Sequence, residues 1–122
     1  MARKIIFSVD DTQTILSIIE DALNKKYTVI SLNAAEKIFG QLKKIKPDLI
    51  LLDYYMPGMT YHEAMQKLKN DEQYTDIPVV VMSASNYPEL IDEIMALGAN
   101  DFICKPFKNP EELVQMIEKW TA

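Results

Sequence analysis

The chain has 122 residues, of which 48% are hydrophobic and 25% charged, and this predicts a single domain over residues 1–122 with its own apolar core. A formal net charge of −5 argues against direct binding to nucleic-acid phosphates. The single cysteine, Cys104, excludes an intrachain disulfide and favours a reducing, cytoplasmic location. The N-terminal apolar run meets Asp10 too soon to be a signal peptide or a membrane span, so no membrane contact is expected.

Five short runs rich in Val, Ile, Leu and aromatic residues alternate with segments of helical spacing. The runs are residues 4–9, 27–32, 49–52, 79–82 and 102–104. Most of them are continuously apolar, which is typical of strands covered on both faces. Strands that alternate with helices in this way predict an α/β fold, with a doubly wound parallel sheet between two layers of helices.

The segments between the strands predict five helices. Apolar faces are formed by Ile15, Leu16, Ile19, Ala22 and Leu23 in the first helix, and by Ala35, Ile38, Leu42 and Ile45 in the second. The second helix is expected to open at Asn33, with Glu36 completing a variant of the capping box. The third is short and polar and covers about residues 63–70.

The last two helices carry clear start and stop signals. Pro88 lies in the first turn of the fourth helix, and Gly98 is expected to end it. The fifth opens with Asn109 followed by Pro110, a capping residue and then a proline at the first helical position. The chain stops just after this helix, so it is expected either to work alone or to be one domain of a longer protein.

Polar side chains stand where four of the predicted strands end. Asp10 and Asp11 follow the first strand, Asp53 the third, Ser83 the fourth and Lys105 the fifth. Sites in open parallel sheets form at the carboxyl ends of the strands, near the point where the strand order reverses. A strand order of 2-1-3-4-5 would bring these four ends side by side and assemble one site.

Three carboxylates at one small site repel each other strongly unless a cation lies among them. All are hard oxygen donors without His or Cys beside them, so the fitting ion is Mg²⁺, with Mn²⁺ as the alternative. Asp53 can then act as a nucleophile toward a phosphoryl group whose charge the metal neutralises. Lys105 can bind one phosphoryl oxygen, and the Ser83 hydroxyl with the following N–H, that of Ala84, can bind another.

The segments that carry these residues resemble the receiver (response-regulator) family of two-component signalling, including its stand-alone chemotaxis members. The matching segments are residues 9–11, 47–53, 56–58, 81–84 and 98–107. They extend through nearly the whole chain at the spacing of the family, so the joint match is specific although each segment alone is weak. The resemblance implies a flavodoxin-like sheet of five parallel strands in the order 2-1-3-4-5, with five helices.

The resemblance also implies a role for each acidic residue of the site. Asp53 would be the phosphoacceptor. Asp11 would be a direct Mg²⁺ ligand together with Asp53, and Asp10 would act largely through water. The backbone carbonyl of Tyr55 would complete the protein ligands, and Lys105 would contact the phosphoryl group.

The same resemblance implies a switch formed by Ser83 and the aromatic residue Phe102, and a cis peptide bond between Lys105 and Pro106. The expected donor is the phosphohistidine of a sensor histidine kinase or a histidine phosphotransfer protein. Phosphorylation would remodel the surface of the fourth helix, fifth strand and fifth helix for a downstream target or a missing output domain. The chain is therefore expected to be a signalling switch that catalyses only its own phosphorylation and dephosphorylation.

The sequence departs from the family pattern at several positions. Thr60-Tyr61 stands where the family usually has an acid and a glycine, so the loop that enters the third helix is expected to differ. Tyr55 and Ser85 occupy the positions two beyond Asp53 and Ser83, which tune dephosphorylation in the family.

Other functions are less consistent with these residues. An aspartate-nucleophile phosphohydrolase would need a general acid two residues after Asp53, where the chain has Tyr55. A flavodoxin-like cofactor carrier would need a phosphate cradle of Gly, Ser and Thr amides where the chain has Asp10-Asp11. A receiver that binds partners without phosphorylation would not need the complete polar set.

Overall fold

The computed structural model describes residues 3–122, in which five strands form one parallel sheet. The strands are β1 (Ile5–Val9), β2 (Thr28–Leu32), β3 (Leu49–Asp53), β4 (Val79–Ser83) and β5 (Asp101–Cys104). Their order across the sheet is β2-β1-β3-β4-β5, and every neighbouring pair is parallel. The predicted fold class and strand order are confirmed.

Five helices cover the two faces of the sheet. They are α1 (Gln13–Leu23), α2 (Lys37–Leu42), α3 (Tyr61–Lys69), α4 (Pro88–Ala96) and α5 (Pro110–Thr121). Side chains of α1 and α5 pack in one apolar cluster on one face, and side chains of α2, α3 and α4 pack in a second cluster on the other. Every helix in this described part of the chain is too short or too polar to cross a bilayer.

Burial on both faces of the sheet explains why β3 and β4 are so apolar. All five residues of β3 and all five of β4 are buried, because helices cover both faces of the sheet. The strand register also aligns their ends: Val9 pairs with Leu52, Asp53 with Met82, and Ser83 with Cys104. Residues that immediately follow or end these strands are therefore brought to one edge of the sheet.

The prediction for the start of α2 is wrong. The helix begins at Lys37 rather than after Asn33. Residues 33–36 form a bend and a turn, and the carbonyls of Ala34 and Ala35 accept the N–H groups of Lys37 and Ile38. The Glu36 carboxylate accepts the N–H of Met59 in the loop after β3 instead of closing a capping box. Ile45, predicted to lie on the apolar face of this helix, lies beyond its end and is 37% exposed.

The start of α3 lies two residues before the predicted one. Thr60 is the N-cap, and its hydroxyl accepts the N–H of Glu63 at 3.1 Å while the Glu63 carboxylate accepts the N–H of Thr60 at 3.2 Å. This reciprocal pair is a capping box, and its sequence signature, Thr followed three residues later by Glu, was present but overlooked. The helix therefore includes Tyr61, the residue at which the chain departs from its family pattern.

The predicted start and end of α4 and the predicted start of α5 are confirmed. Pro88 is the first residue of α4, and Gly98 follows the helix with a φ of +111°, a conformation that favours glycine. Asn109 caps α5 by accepting the N–H of Glu112 at 3.0 Å. These local signals succeed because they depend on hydrogen bonds between residues close in sequence.

The capping box of α3 generates a stability prediction. Thr60→Ala removes the hydroxyl that accepts the Glu63 N–H, so the free energy of unfolding should fall by about 1 kcal/mol. The control is Gln66→Ala on the exposed face of the same helix, which should change stability by less than about 0.5 kcal/mol. Urea denaturation of both variants measures the difference, and equal midpoints for the two would contradict the capping role.

Candidate functional site

The polar residues predicted from the strand ends meet at the carboxyl edge of the sheet. All of them except the fully buried Asp10 line a cleft of 260 Å³, which opens where the polypeptide leaves β1, β3, β4 and β5. The cleft is lined by Asp11, Thr12, Asp53, Tyr55, Ser83, Ala84 and Lys105. Because parallel strands end at the same edge, residues far apart in sequence become neighbours here.

Three carboxylates form the acidic part of this site. Asp10 is fully buried, Asp53 is 5% exposed and Asp11 is exposed to solvent. One carboxylate oxygen of each lies within 4.8 Å of the others. Asp10 is held in place by the backbone at the start of α1, because its Oδ1 accepts the N–H of Thr12 at 2.9 Å.

Lys105 is the positive partner of the two buried carboxylates. Its Nζ lies 3.0 Å from Asp10 Oδ2 and 3.0 Å from Asp53 Oδ1, and its side chain is only 16% exposed. The backbone N–H of Lys105 donates to the carbonyl of Ser83 at 2.9 Å, which extends the pairing of β4 and β5 by one residue. The peptide bond from Lys105 to Pro106 is cis, the isomer that the family resemblance implies.

The electrostatic balance of the cluster leaves Asp53 poorly stabilised as an anion. Burial and, to a smaller extent, the charge of Asp10 together raise the pKa of Asp53 to about 6, although the hydrogen bond from Lys105 opposes the shift. Burial alone would lower the pKa of Lys105, but its bonds to Asp10 and Asp53 outweigh that effect and raise it. Lys105 is therefore charged at neutral pH, and the cluster retains an excess of negative charge.

The donor atoms of this cluster fit a small, hard divalent cation. All three side chains offer carboxylate oxygens, the ligands that Mg²⁺ and Mn²⁺ prefer, and the one ammonium group beside them does not balance their charge. Tyr55 also lines the cleft and is 84% exposed, and the role of its backbone carbonyl as a metal ligand stays a prediction.

Ser83 and Ala84 form the side of the cleft next to α4. Ser83 is the last residue of β4 and is buried, and its Oγ accepts the N–H of Ser85 at 3.1 Å. That bond uses a lone pair of the oxygen and leaves the hydroxyl hydrogen able to donate to another group. Ala84, the next residue, also lines the cleft.

Phe102 lies on β5, outside the lining of the cleft, and is partly buried against the apolar cluster of α2, α3 and α4. Its N–H donates to Asp101 Oδ1 at 2.9 Å, and the other oxygen of that carboxylate accepts the indole N–H of Trp120 at 2.9 Å. The start of β5 is therefore tied to the end of α5. The switch role of Phe102 stays a prediction.

Two contributors to the site were missed by sequence reasoning. Thr12 supplies the backbone N–H that orients Asp10, and its place directly after Asp10-Asp11 was the available signal. Glu36 contacts the loop after Asp53 through the N–H of Met59 at 3.3 Å, and no local pattern links these two positions.

The raised pKa of Asp53 predicts how stability depends on pH without a divalent cation. The folded state holds the Asp53 proton more tightly than the unfolded chain, whose aspartates titrate near about 3.9. Between about pH 4 and about pH 6, the free energy of unfolding should therefore fall by roughly 2–3 kcal/mol relative to Asp53→Asn.

Urea denaturation in the presence of EDTA, at intervals across this pH range, measures the effect. Asp21→Asn, an exposed change of the same chemistry on α1, should keep the pH dependence of the wild type. Parallel stability curves for the wild type and Asp53→Asn would show that Asp53 ionises without cost in the folded state.

Comparison with known proteins agrees with this site. Residues 6–118 match the family described as the response regulator receiver domain. Two-component response regulator ORR6 of Oryza sativa is 35% identical over 107 residues, which cover 84% of this chain and 63% of that protein. Phosphate regulon transcriptional regulatory protein PhoB of Pseudomonas aeruginosa is 34% identical over 119 residues, or 97% of this chain and 52% of that protein. The chain thus spans only part of these curated relatives.

Solved structures show the same architecture over nearly the full length. The chemotaxis protein CheY4 of Vibrio cholerae superimposes with a TM-score of 0.90 at 28% identity, covering 98% of this chain and 99% of that one. The phosphorylated cyanobacterial phytochrome response regulator RcpA superimposes with a TM-score of 0.83 at 29% identity, covering 99% and 96%. With a family match over residues 6–118 and the acidic cleft at the expected edge of the sheet, the chain belongs to the response regulator receiver domain family.

Proposed function

We propose that the chain is a phosphorylation-dependent signalling switch, formed as one domain over residues 1–122, in which Asp53 accepts the phosphoryl group. The observation that carries the proposal is the bridging position of Lys105, 3.0 Å from the carboxylates of both Asp10 and Asp53 in an acidic cleft. A partly buried lysine between two carboxylates is placed to exchange one of these contacts for a phosphoryl oxygen. Membership of the receiver family supports the same function.

In the proposed reaction, an Asp53 carboxylate oxygen attacks the phosphorus of a phosphohistidine on a sensor histidine kinase or a histidine phosphotransfer protein. The new P–O bond to Asp53 forms as the P–N bond breaks, and the released imidazole nitrogen takes up a proton. Asp11, Asp53 and the Tyr55 carbonyl would hold Mg²⁺ or Mn²⁺, with Asp10 acting largely through water. When bound, the ion neutralises negative charge on the transferring phosphoryl oxygens.

Lys105 and Ser83 stabilise the product through charge-assisted hydrogen bonds. The Lys105 ammonium group leaves its contact with Asp53 and binds one phosphoryl oxygen, while the Ser83 hydroxyl and the Ala84 N–H donate to another. Attack of water on the phosphorus later breaks the P–O bond and restores the Asp53 carboxylate. The chain thus catalyses its own phosphorylation and dephosphorylation and has no separate substrate to turn over.

Movement of Ser83 toward the phosphoryl group is the proposed start of the switch. It opens space into which the partly buried ring of Phe102 turns, and the surface formed by α4, β5 and α5 changes for a downstream protein or an output domain. Phosphorylation biases two pre-existing states, so its effect equals the difference in their affinity for the phosphoryl group. A cytoplasmic location is part of the proposal, in keeping with the single cysteine.

Phosphorylation by a small donor tests the acceptor assignment. Incubation with acetyl phosphate and Mg²⁺ should add one phosphoryl group to the wild type by intact-mass measurement, and Asp53→Asn should remain unmodified because it lacks the nucleophile. Asp21→Asn, an exposed control on α1, should be modified like the wild type. A full phosphoryl mass shift in Asp53→Asn would refute Asp53 as the acceptor.

Mg²⁺ should raise the melting temperature because it binds the folded cluster and not the unfolded chain. At a free concentration of 100 times its dissociation constant, the ion should add about 2.7 kcal/mol to the free energy of unfolding. Asp11→Ala should lose most of this response, since it removes one of the three carboxylates, and Asp21→Asn should keep it. Identical melting curves of the wild type with and without Mg²⁺ would contradict the metal site.

A further inference from the structure

Tyr61 occupies an unusual place for a large side chain. It is the first residue of α3, where the family pattern usually has glycine, yet the residue is only 4% exposed. The ring packs in the apolar cluster shared by α2, α3 and α4. The tyrosine that replaces glycine at this position therefore fills a space between helices and does not extend into solvent.

The Tyr61 hydroxyl donates to the backbone carbonyl of Ile94 at 2.8 Å. Ile94 lies in the last turn of α4, where carbonyls lack partners within the helix. The Gly98 N–H bonds the carbonyl of Met95, which leaves the Ile94 carbonyl to Tyr61. Burial raises the pKa of Tyr61, so its hydroxyl keeps the proton that it donates. The side chain thus acts as a cap supplied to α4 by another helix.

Tyr61 is itself held in place by contacts with α3 and with the sheet. The Thr60 capping box fixes the start of α3, and the Tyr61 ring lies 5.3 Å from the ring of Tyr54. Tyr54 is itself held by the sheet, because its N–H donates to the carbonyl of Met82 on β4 at 2.8 Å. Tyr61 therefore links the end of α4 to the sheet as well as to α3.

A second contact joins the same two helices at the surface. His62 Nε2 lies 2.6 Å from Glu93 Oε1, next to the Tyr61 contact on both helices. Both side chains are about half exposed, so this contact adds less than the buried hydrogen bond. Two adjacent residues of α3 thus hold two adjacent residues of α4.

The other end of α4 is exposed to solvent. Residues 84–89, which join β4 to α4 and form its first turn, are exposed, and the N-cap Tyr87 is 55% exposed. This segment begins directly after Ser83, the residue whose movement starts the proposed switch. A helix that is free at the moving end and fixed at the far end can tilt about its fixed end, and it cannot slide as a whole.

We propose that Tyr61 is a positioning residue that anchors the C-terminal half of α4, so that phosphorylation displaces only the half of the helix next to Ser83. The inference rests on the proposed phosphorylation switch and specifies how its output surface moves. In the wild type, residues 84–91 change position on activation, and residues 94–98 remain fixed to α3. Loss of the Tyr61 hydroxyl lets the displacement spread along the whole helix.

Amide NMR spectra with Mg²⁺, recorded before and after addition of beryllofluoride, test the anchor. In the wild type, shift changes should be large for residues 84–91 and small for residues 94–98. In Tyr61→Phe, which keeps the ring and removes only the hydroxyl, the changes at residues 94–98 should rise several-fold. A helix cap without a role in the switch would shift the resting spectrum of Tyr61→Phe and leave its response to beryllofluoride unchanged.

Tyr54→Phe is the matched control, because it removes a hydroxyl from the neighbouring ring and leaves the Ile94 contact intact; it should respond like the wild type. Large changes at residues 94–98 in the wild type would overturn the anchor, even if Tyr61→Phe fails to fold. Wild-type responses in Tyr61→Phe would overturn it equally. Beryllofluoride that leaves the amides around Asp53 unchanged would instead refute the proposed function and the anchor together.

Discussion

The ammonium group of Lys105, held between the carboxylates of Asp10 and Asp53, is the interaction on which the arrangement of the carboxyl edge depends. Both carboxylates are buried, and in a buried site the loss of one partner of an ion pair typically costs about 3–5 kcal/mol. Asp10 follows β1, Asp53 ends β3 and Lys105 follows β5, so Lys105 can bridge the two carboxylates only if these three strands end together. The sheet supplies that alignment, and the Lys105 ammonium group reduces the repulsion between the two buried carboxylates.

The same interaction leaves the site with a net negative charge that a bound ligand can change. Lys105 offsets only part of the negative charge, and burial keeps the pKa of Asp53 at about 6, well above its ordinary value. A divalent cation or a phosphoryl group that enters the cleft meets charges already in place, in an environment where water screens them poorly. In the proposed function, a divalent cation bound here would offset the repulsion between the carboxylates, which would connect metal binding and conformational stability through one cluster.

Rigid and movable parts of the protein are separated along the chain. The central strands are buried on both faces and fix the site residues at their ends, whereas the segment from Ser83 to the first turn of α4 is exposed. At its other end, α4 is attached to α3 through Tyr61 and through the contact of His62 with Glu93. In the proposed switch, a local displacement at Ser83 would thereby change one defined surface, and the core would not have to repack.

The sequence by itself determined the alternation of strands and helices, both ends of α4, the start of α5 and the polar residues at the strand ends, because apolar periodicity and capping residues are local patterns. The strand order came from the resemblance to the receiver family. The sequence did not determine the start of α2, where the Glu36 carboxylate turns to Met59 instead of capping its own helix. Nor did it determine how deeply Asp53 is buried, which carboxylates Lys105 bridges, or that the Tyr61 hydroxyl reaches Ile94. Only the tertiary structure decided these features, because each depends on the distance between groups that lie far apart in the chain until the sheet and its two helix layers are packed.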